Sequence, residues 1–262
     1  MKTRKGTESD DVIEGSKAAE KIYGLGGNDA ITGGGGDDKI WCGNNVGSEN
    51  DQWDKADGGA GSDLIYGEDG IDFLHGGAGA DRLFGGNDDD FLFGDGGKDA
   101  LHGDAGDDII IGGIGKDMLY GGLGNDSLDA ISGNDVMDGG EGNDLYFTGE
   151  GKVNTIDKSG SDKYFILEPD AFASITDRTG KDTLVFNNFV KDDLMFTRQG
   201  FDLLIEIDGF RGETTLSGFY LNKNNRIETL MDSSDNDKGY DLSVLKMLKF
   251  DSADVNGEDL WL

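Results

Sequence analysis

The chain has 262 residues, of which 54 are acidic and 23 are basic, so its formal net charge at pH 7 is −31. This excess of carboxylates excludes nucleic acid as a partner, because phosphate binding requires clustered Lys and Arg. With 46 Gly, 1 Pro and 1 Cys, the composition also excludes an internal disulfide and a collagen-like or Pro-rich chain.

The first fifteen residues are basic and then polar, and they lack the apolar run of a cleavable signal peptide. No segment is long enough in apolar residues to span a membrane. Export by a C-terminal signal would account for this N-terminus. An origin within a larger protein, with Met1 as an added start, would account for it equally well.

A nine-residue pattern begins in the same stretch and runs to Phe147. Each block has Gly first, Gly fourth, Asp sixth and an apolar residue eighth, most clearly in GGAGSDLIY, GEDGIDFLH and GGAGADRLF from Gly58 onward. Self-similarity at a fixed short period is typical of a repeat architecture. From Gly58 onward the eighth place of every block is apolar or aromatic. These residues are Ile65, Leu74, Leu83, Leu92, Leu101, Ile110, Leu119, Leu128, Met137 and Tyr146.

Several blocks depart from the pattern. The first two, GTESDDVIE and GSKAAEKIY, lack most glycines and are expected to cap the stack. Between Asp38 and Asp54 the step is sixteen residues instead of nine, which predicts a loop insertion at about 42–53. Trp41 and Trp53 beside it are expected to cover an open edge, with a ligand site as the alternative. Blocks 85–93 and 130–138 have each lost glycines and are expected to be impaired.

The block itself predicts a metal site. Gly at the first and fourth places tolerates positive φ and so allows a tight turn with exposed carbonyls. The sixth-place Asp adds a carboxylate, and calcium takes six to eight such oxygens. The last three residues of a block form a short strand. Two blocks therefore make one flattened coil of eighteen residues, with calcium between neighbouring turns and shared by two Asp residues of one row.

The candidate calcium ligands are the sixth-place carboxylates and the turn carbonyls. The carboxylates form two rows on opposite edges, given in chain order as Asp29, Asp38, Asp54, Asp63, Asp72, Asp81, Asp90, Asp99, Asp108, Asp117, Asp126, Asp135 and Asp144. The turn glycines are Gly58, Gly61, Gly67, Gly76, Gly79, Gly94, Gly97, Gly103, Gly106, Gly112, Gly115, Gly121 and Gly124. After the impaired blocks are discounted, about 7–11 calcium ions (Ca²⁺) are expected to bind.

These blocks resemble the nonapeptide GGxGxDxUx of RTX (repeats-in-toxin) proteins. The resemblance implies an all-β fold, a parallel β-roll or right-handed β-solenoid, with calcium between its turns. It further implies a secreted bacterial protein, exported by type I secretion machinery as its partner. Without calcium the thin core and repelling carboxylates favour a disordered chain.

After Asp144 the period decays. GSDKYFIL and GKDTLVF keep a Gly-x-Asp-x-apolar core, so Asp162 and Asp182 are predicted to form last, irregular turns. Alternating stretches predict a hairpin, two further strands and a short helix, at 193–197 with 201–207, 213–220, 226–231 and 241–250. We therefore expect a calcium-binding roll over 1–147 and, over 148–262, a flanking cap. By the resemblance, that cap includes the secretion signal.

Two functions fit the sequence, and neither is enzymatic, since the chain contains no GxSxG or HExxH motif. His75 and His102 are three blocks apart and should lie on opposite sheets. The first function is a calcium-driven folding and export module of a toxin, adhesin or hydrolase. The second is an adhesive or partner-binding solenoid, because one sheet should present an outward apolar face. Cross-strand ladder packing would explain the same face, which consists of Phe73, Phe91, Phe93, Ile109 and Ile111.

Overall fold

A computed structural model describes residues 1–44, 53–168, 170–186, 194–199, 202–207, 209–217, 227–232 and 240–241. These residues contain no helix, and so none of membrane-spanning length and apolarity. Their regular elements are the strands β1 (Lys2–Lys5), β2 (Val12–Ser16), β3 (Glu20–Leu25), β4 (Ala30–Gly34), β5 (Lys39–Asn44), β6 (Lys55–Ala60), β7 (Leu64–Asp69), β8 (Phe73–Gly79), β9 (Arg82–Asn87), β10 (Phe91–Phe93), β11 (Gly96–Gly97), β12 (Ala100–Ala105), β13 (Ile109–Ile111), β14 (Ile114–Gly115), β15 (Met118–Leu123), β16 (Ser127–Asp129), β17 (Ser132–Glu141), β18 (Leu145–Thr148), β19 (Glu150–Ile156), β20 (Lys163–Ile166), β21 (Phe172–Thr176), β22 (Asp182–Phe186), β23 (Leu194–Gln199), β24 (Asp202–Ile207), β25 (Glu213–Leu216), β26 (Ile227–Asp232) and β27 (Tyr240–Asp241).

The strands form two parallel ladders. In the first, β7 pairs with β9 so that Leu64 lies opposite Arg82. In the second, β8 pairs with β10 so that Phe73 lies opposite Phe91. Both steps are eighteen residues, which confirms the predicted coil of two blocks and the parallel β-roll. His75 belongs to β8 of the second ladder, whereas His102 belongs to β12, which pairs with β9 and β15 of the first ladder, so the two histidines lie on opposite faces, as predicted.

The predicted insertion leaves the ladders intact. Across it, Ala30 pairs with Lys55 and Lys39 pairs with Leu64. Each step is twenty-five residues instead of eighteen, so seven residues are inserted between paired positions. Residues 42–44, predicted to begin the loop, belong instead to β5, where Gly43 and Asn44 pair with β7. Residues 45–52 of the predicted loop are outside the described part of the chain.

The core is a double file of side chains between the ladders. Every eighth-place residue from Ile65 to Tyr146 is buried with 0% exposure, as the period predicts. Ile13, at the N-terminal end, is only partly buried, because the first coil covers one side of it alone. The outward positions of the first ladder form a continuous stack, with ring centroids 4.6–5.7 Å apart, of Tyr23, Trp41, Tyr66, Phe84, His102 and Tyr120.

The parallel ladders continue past Phe147 with a wider step. Lys163 in β20 pairs with Thr183 in β22, twenty residues on. The predicted hairpin is confirmed as β23 and β24, which pair antiparallel, and β24 also pairs antiparallel with β25. β25 and β26 confirm the two further strands and rejoin the roll in parallel beside β21 and β22. The predicted helix over 241–250 lies outside the described residues, except Asp241, which belongs to β27.

Candidate metal centre

The sixth-place aspartates form two buried rows, one along each edge of the roll. Each is at most 2% exposed from Asp29 to Asp144. Each backbone N–H donates to Oδ1 of the equivalent Asp one coil later, at 2.7 Å from Asp63 to Asp81 and 2.8 Å from Asp81 to Asp99. The row that contains Asp126 and Asp144, which we call the second row, continues by the same bond to Asp162 and Asp182. The two rows predicted from the sequence are therefore present, and the second row extends beyond the last nonapeptide block.

The other carboxylate oxygen of these residues has no hydrogen-bond donor. Oδ2 is buried without a hydrogen-bond partner in all thirteen aspartates predicted as ligands. Leaving a buried charged oxygen unpaired is costly, so such atoms in native proteins face a cation or water. Because the same atom is unpartnered in coil after coil, the structure indicates a repeated cation site.

The first glycine of each block forms the opposite wall of that site. A Cβ built on Gly58 would lie 2.5 Å from Asp63 Oδ2 and 2.7 Å from the carbonyl oxygen of Gly76 in the next coil. On Gly76 the corresponding distances, to Asp81 Oδ2 and the Gly94 oxygen, are 2.8 and 3.0 Å. We call each such space, between a first-place glycine, its own Asp and a carbonyl of the next coil, a cradle. Nine of the described blocks have one with an unpartnered Oδ2, at Gly24, Gly33, Gly58, Gly67, Gly76, Gly85, Gly94, Gly103 and Gly121.

The donor set of a cradle fits calcium. Calcium binds hard oxygens, both carboxylate and carbonyl, at about 2.3–2.6 Å. Each cradle presents Oδ2 of one Asp and a carbonyl oxygen from the next coil, while that coil's own Asp is tied to the first by the N–H···Oδ1 bond. The predicted sharing of one ion by two Asp residues stays a prediction.

Burial raises the pKa of these carboxyl groups. Among the thirteen predicted ligands the effect is largest at Asp72, where burial and the neighbouring charges of Asp90 and Asp54 raise the pKa to about 9. Burial raises the pKa of Asp90 to about 8 and that of Asp63 to about 7. A bound cation would reverse this effect, since it favours the ionised form. The folded rows therefore require protons or cations at neutral pH.

Comparison with known families identifies the repeat. The RTX calcium-binding nonapeptide repeat matches the chain in four copies, over residues 5–41, 57–92, 93–128 and 131–152. The chain belongs to the RTX family. Calcium is therefore its metal, and the repeats are a calcium-binding module rather than a catalytic group.

No curated protein sequence matches the chain. Among solved structures, it is similar to the extracellular lipase LipA from Serratia marcescens, with 16% sequence identity and a TM-score of 0.21. The match covers 85% of this chain and 40% of the lipase, so this chain spans less than half the length of that protein.

Two predicted ligands lie in RTX blocks without an open cradle. The first place before Asp54 is held by Cys42, paired in register between Gly24 and Gly67, and the first place before Asp135 is held by Ala130. Both residues are fully buried. A side chain at this place occupies the space that glycine leaves open, so Asp54 and Asp135 are the weakest of the predicted ligands.

Two further first-place glycines, Gly112 and Gly139, have different neighbours in place of the carbonyl of a cradle. At Gly112 the nearest groups to an added Cβ are Asp117 and a methyl of Leu119. At Gly139 they are Asp144 Oδ2 and the Tyr146 hydroxyl. Neither wall is the carbonyl of the regular RTX cradle.

The expected role of the first glycine is wrong in one respect. Positive φ occurs at the second and fourth places, as at Gly77 (96°) and Gly79 (153°), and not at first-place Gly76. The first glycine is required because a Cβ has no room, whereas the fourth-place glycines named above, such as Gly61 and Gly79, pack against the carbonyls of the preceding coil. The fourth place is also less strict than expected, because Asp88 adopts φ of 76° there and the Gly85 cradle persists.

Sequence reasoning missed three cradle glycines. Gly24, Gly33 and Gly85 were not among the candidates, although each lies five residues before a row Asp. A count of nine back from Gly94 gives Gly85, and a count of five back from Asp38 and Asp29 gives Gly33 and Gly24. At the N-terminal end, Glu20 replaces the row Asp and is held by Arg4, whose Nε donates to Oε2 at 3.1 Å and lowers the pKa of that carboxyl. The guanidinium of Arg4 thus takes the place of a metal ion at this end.

Proposed function

We propose that the chain is unfolded where calcium is scarce and folds when calcium fills the cradles outside the cell. The observation that carries this proposal is the row of buried, unpartnered Oδ2 atoms. Neighbouring rungs are about 4.8 Å apart, so two ionised carboxylates repel by roughly 3 kcal/mol at an effective dielectric constant of 20. A ligand that binds only the folded chain adds about 2.7 kcal/mol at a hundredfold excess over its Kd.

The nine regular cradles support the expected number of ions. They fall within the 7–11 predicted from the sequence, and they exclude the blocks of Cys42 and Ala130. We propose that each regular cradle binds one calcium ion. The two blocks whose first place carries a side chain bind none.

We further propose that the chain is the secreted calcium-binding part of a larger bacterial protein, exported by type I machinery. The family membership supports this setting. Folding that waits for calcium would keep the chain extended during export and order it afterwards. The parent activity, whether toxin, adhesin or hydrolase, belongs to other parts of such a protein. The flank from 148 onward acts as the cap of the roll.

Circular dichroism tests this function. In excess chelator the chain should give a coil spectrum, and millimolar calcium should produce β signal in one cooperative transition. Magnesium should fail, because it requires a tighter octahedron and keeps its waters. A β spectrum in chelator at pH 7.5 would refute calcium-driven folding.

The outward apolar face supports a second candidate, direct binding of a protein or cell-surface partner. Phe73 and Ile109 are each 37% exposed. The rings of Phe73 and Phe91 stack at 4.7 Å, and Phe93 stacks on His75 at 4.5 Å, so ladder packing already accounts for much of this face. Replacing Phe73 and Ile109 with Thr should leave folding intact and abolish adhesion if the face binds a partner.

A further inference from the structure

The most acidic buried cluster in the described chain lies beyond the nonapeptides. It begins where the second row passes from Asp144 to Asp162 and Asp182. Two more carboxylates join it, Asp157 directly after β19 and Asp177 directly after β21. Both are almost fully buried, at 0% and 4% exposure. Neither belongs to a block that fits the RTX pattern.

The strand register shows which place of the nine-residue block Asp157 and Asp177 each occupy. Thr155 and Ile175 lie in register with Met137, an eighth-place residue. Asp157 and Asp177, two residues further on, therefore occupy first places, where the repeats have glycine. The sequences read DKSGSD and DRTGKD, with the fourth-place glycine and sixth-place Asp retained. An added carboxylate thus enters the position of the cradle.

The oxygens converge in two groups. One oxygen from each of Asp144, Asp157 and Asp162 lies within 4.8 Å of the others. The same holds for Asp162, Asp177 and Asp182. Calcium–oxygen bonds of about 2.3–2.6 Å span oxygen pairs up to about 5 Å apart, so one ion can contact all three members of a group.

Independent contacts aim these carboxylates inward. The Tyr146 hydroxyl donates to Asp157 Oδ1 at 2.6 Å and accepts from the Gly139 N–H at 2.8 Å. Asp157 Oδ2, which is fully buried, then has no hydrogen-bond partner, and neither has Asp162 Oδ2. The Tyr164 hydroxyl donates to Asp177 at 3.2 Å in the same manner one coil later.

The basic residues directly adjacent to acids of the cluster are all exposed, namely Lys158, Lys163, Arg178 and Lys181. Lys158 directs its Nζ to Asp138 Oδ2, at 2.9 Å. Buried carboxylates are costly when ionised, because each ionised group needs a counter-charge or a proton. The unpartnered oxygens show where a counter-charge would sit.

We propose that Asp144, Asp157 and Asp162 bind one calcium ion and that Asp162, Asp177 and Asp182 bind a second. These two sites differ from the RTX cradles because carboxylates supplied at first places add to the row aspartates. Affinity for calcium rises with the number of charged ligands, so this pair fills at lower calcium than the repeats. The flank then carries its own metal centre, beside the tyrosines that pack against it.

Ion counting on the full-length, calcium-loaded protein tests the proposal. Native mass spectrometry should show Asp157→Asn and Asp177→Asn each losing one calcium ion, and the double variant losing two. Glu150→Gln is the matched control, since Glu150 is an exposed acid of β19 and loses the same charge. It should keep the full count. A calcium titration should also show loss of one early binding step in each single variant, of both early steps in the double variant, and of neither in Glu150→Gln.

Unchanged ion counts in folded Asp157→Asn and Asp177→Asn would overturn the proposal and leave proton-sharing carboxyl pairs in its place. If the Asn variants do not fold, Asp157→Glu decides the matter, because it keeps the third carboxylate. Recovery of folding and of the full count by Glu supports the site, and failure of both variants shows that the position serves packing alone. These counts compare variants with the parent chain, so they stand even if the repeats fold without calcium.

Discussion

Space, and not backbone angle, determines the first glycine of each block. At Gly76 an added Cβ would meet Asp81 Oδ2 and the Gly94 carbonyl, the two oxygens of one cradle. At third-place Gly96 the nearest atom to such a Cβ is 4.0 Å away. Neither glycine has a positive φ. The two positions therefore separate the effect of the cradle from that of glycine itself.

Gly76→Ala should remove one calcium ion and destabilise the loaded roll by about 1–3 kcal/mol, as expected for overpacking. Gly96→Ala should change neither, since Ala60 and Ala78 already occupy third places. Calcium titrations followed by circular dichroism measure both. Equal midpoints for the two variants would show that the first glycine does not line a metal site.

Acid should stabilise the calcium-free roll. Burial raises the folded pKa values of the row carboxyls above the ordinary 3.8, to about 6 at Asp108 and about 9 at Asp72. A raised pKa gives stability that is full below the unfolded value and is lost as the pH rises through the folded value. In chelator, β signal should therefore increase as the pH falls from 9 toward 4. A coil spectrum unchanged across that range would contradict the burial of these carboxyls.

Salt provides the control for this pH effect. Sodium chloride at about 0.5 M screens exposed charges but not buried ones. It should not reproduce the acid-induced β signal. With saturating calcium the dependence should reverse, because protons compete with the ion for Oδ2, and the calcium midpoint should rise on acidification.

At the scale of the element, each coil is stabilised by its two neighbours. Asp99 Oδ1 accepts from the Asp81 N–H, and the Asp99 N–H donates to Asp117 Oδ1 at 2.9 Å. Asp11 at the N-terminal end has a coil on one side only, and its Oδ2 is already bound by Thr7. A stack of this kind is quasi-one-dimensional. The same substitution should therefore have unequal effects at the two positions.

Asp99→Ala should raise the calcium midpoint for folding several-fold and broaden the transition, because it divides the array into two shorter stacks. Asp11→Ala should leave the midpoint nearly unchanged. Both are measured by calcium titration with circular dichroism. If the two midpoints agree, the sites are independent and coil-to-coil coupling is absent.

The sequence predicted the coils well because their period is explicit in the residues. Ile65 to Tyr146 recur every nine residues, and a buried file was the simplest result. The lost glycine at Ala130 was visible in the nine-residue count. The Cys42 block was harder, because the insertion interrupts that count and only register shows that Cys42 holds the first place. Asp157 and Asp177 were missed since they replace glycine with the very residue type expected at another place of the block.

At the scale of the molecule, antiparallel strands follow the roll at its C-terminal end. β25 pairs in parallel with β21 and antiparallel with β24, an arrangement that supports the proposed cap. Removal of the chain from Gly149 onward would expose the edge of β18, which pairs with β20, and the ring of Tyr146, which stacks on Tyr164. The truncation would also delete all the proposed ligands of the two flank calcium sites except Asp144.

Truncation before Gly149 should therefore raise the calcium concentration needed for folding, although all nine regular cradles remain. Circular dichroism of the truncated and full-length chains over a calcium titration measures the difference. Adding residues 149–232 as a separate chain is not expected to restore folding at the original calcium concentration, because the covalent link between the roll and the flank is lost. Identical titrations for the two chains would exclude a capping role.

The hydrogen bonds of the roll give it a direction. Each cradle takes its carbonyl from the coil that follows, whereas each Oδ1 takes its N–H from the coil that precedes. The two ends of the roll are therefore unlike, as the two ends of a polar filament are. Losing coils at the N-terminal end leaves every remaining cradle with both its oxygens, whereas losing them at the other end opens the last one.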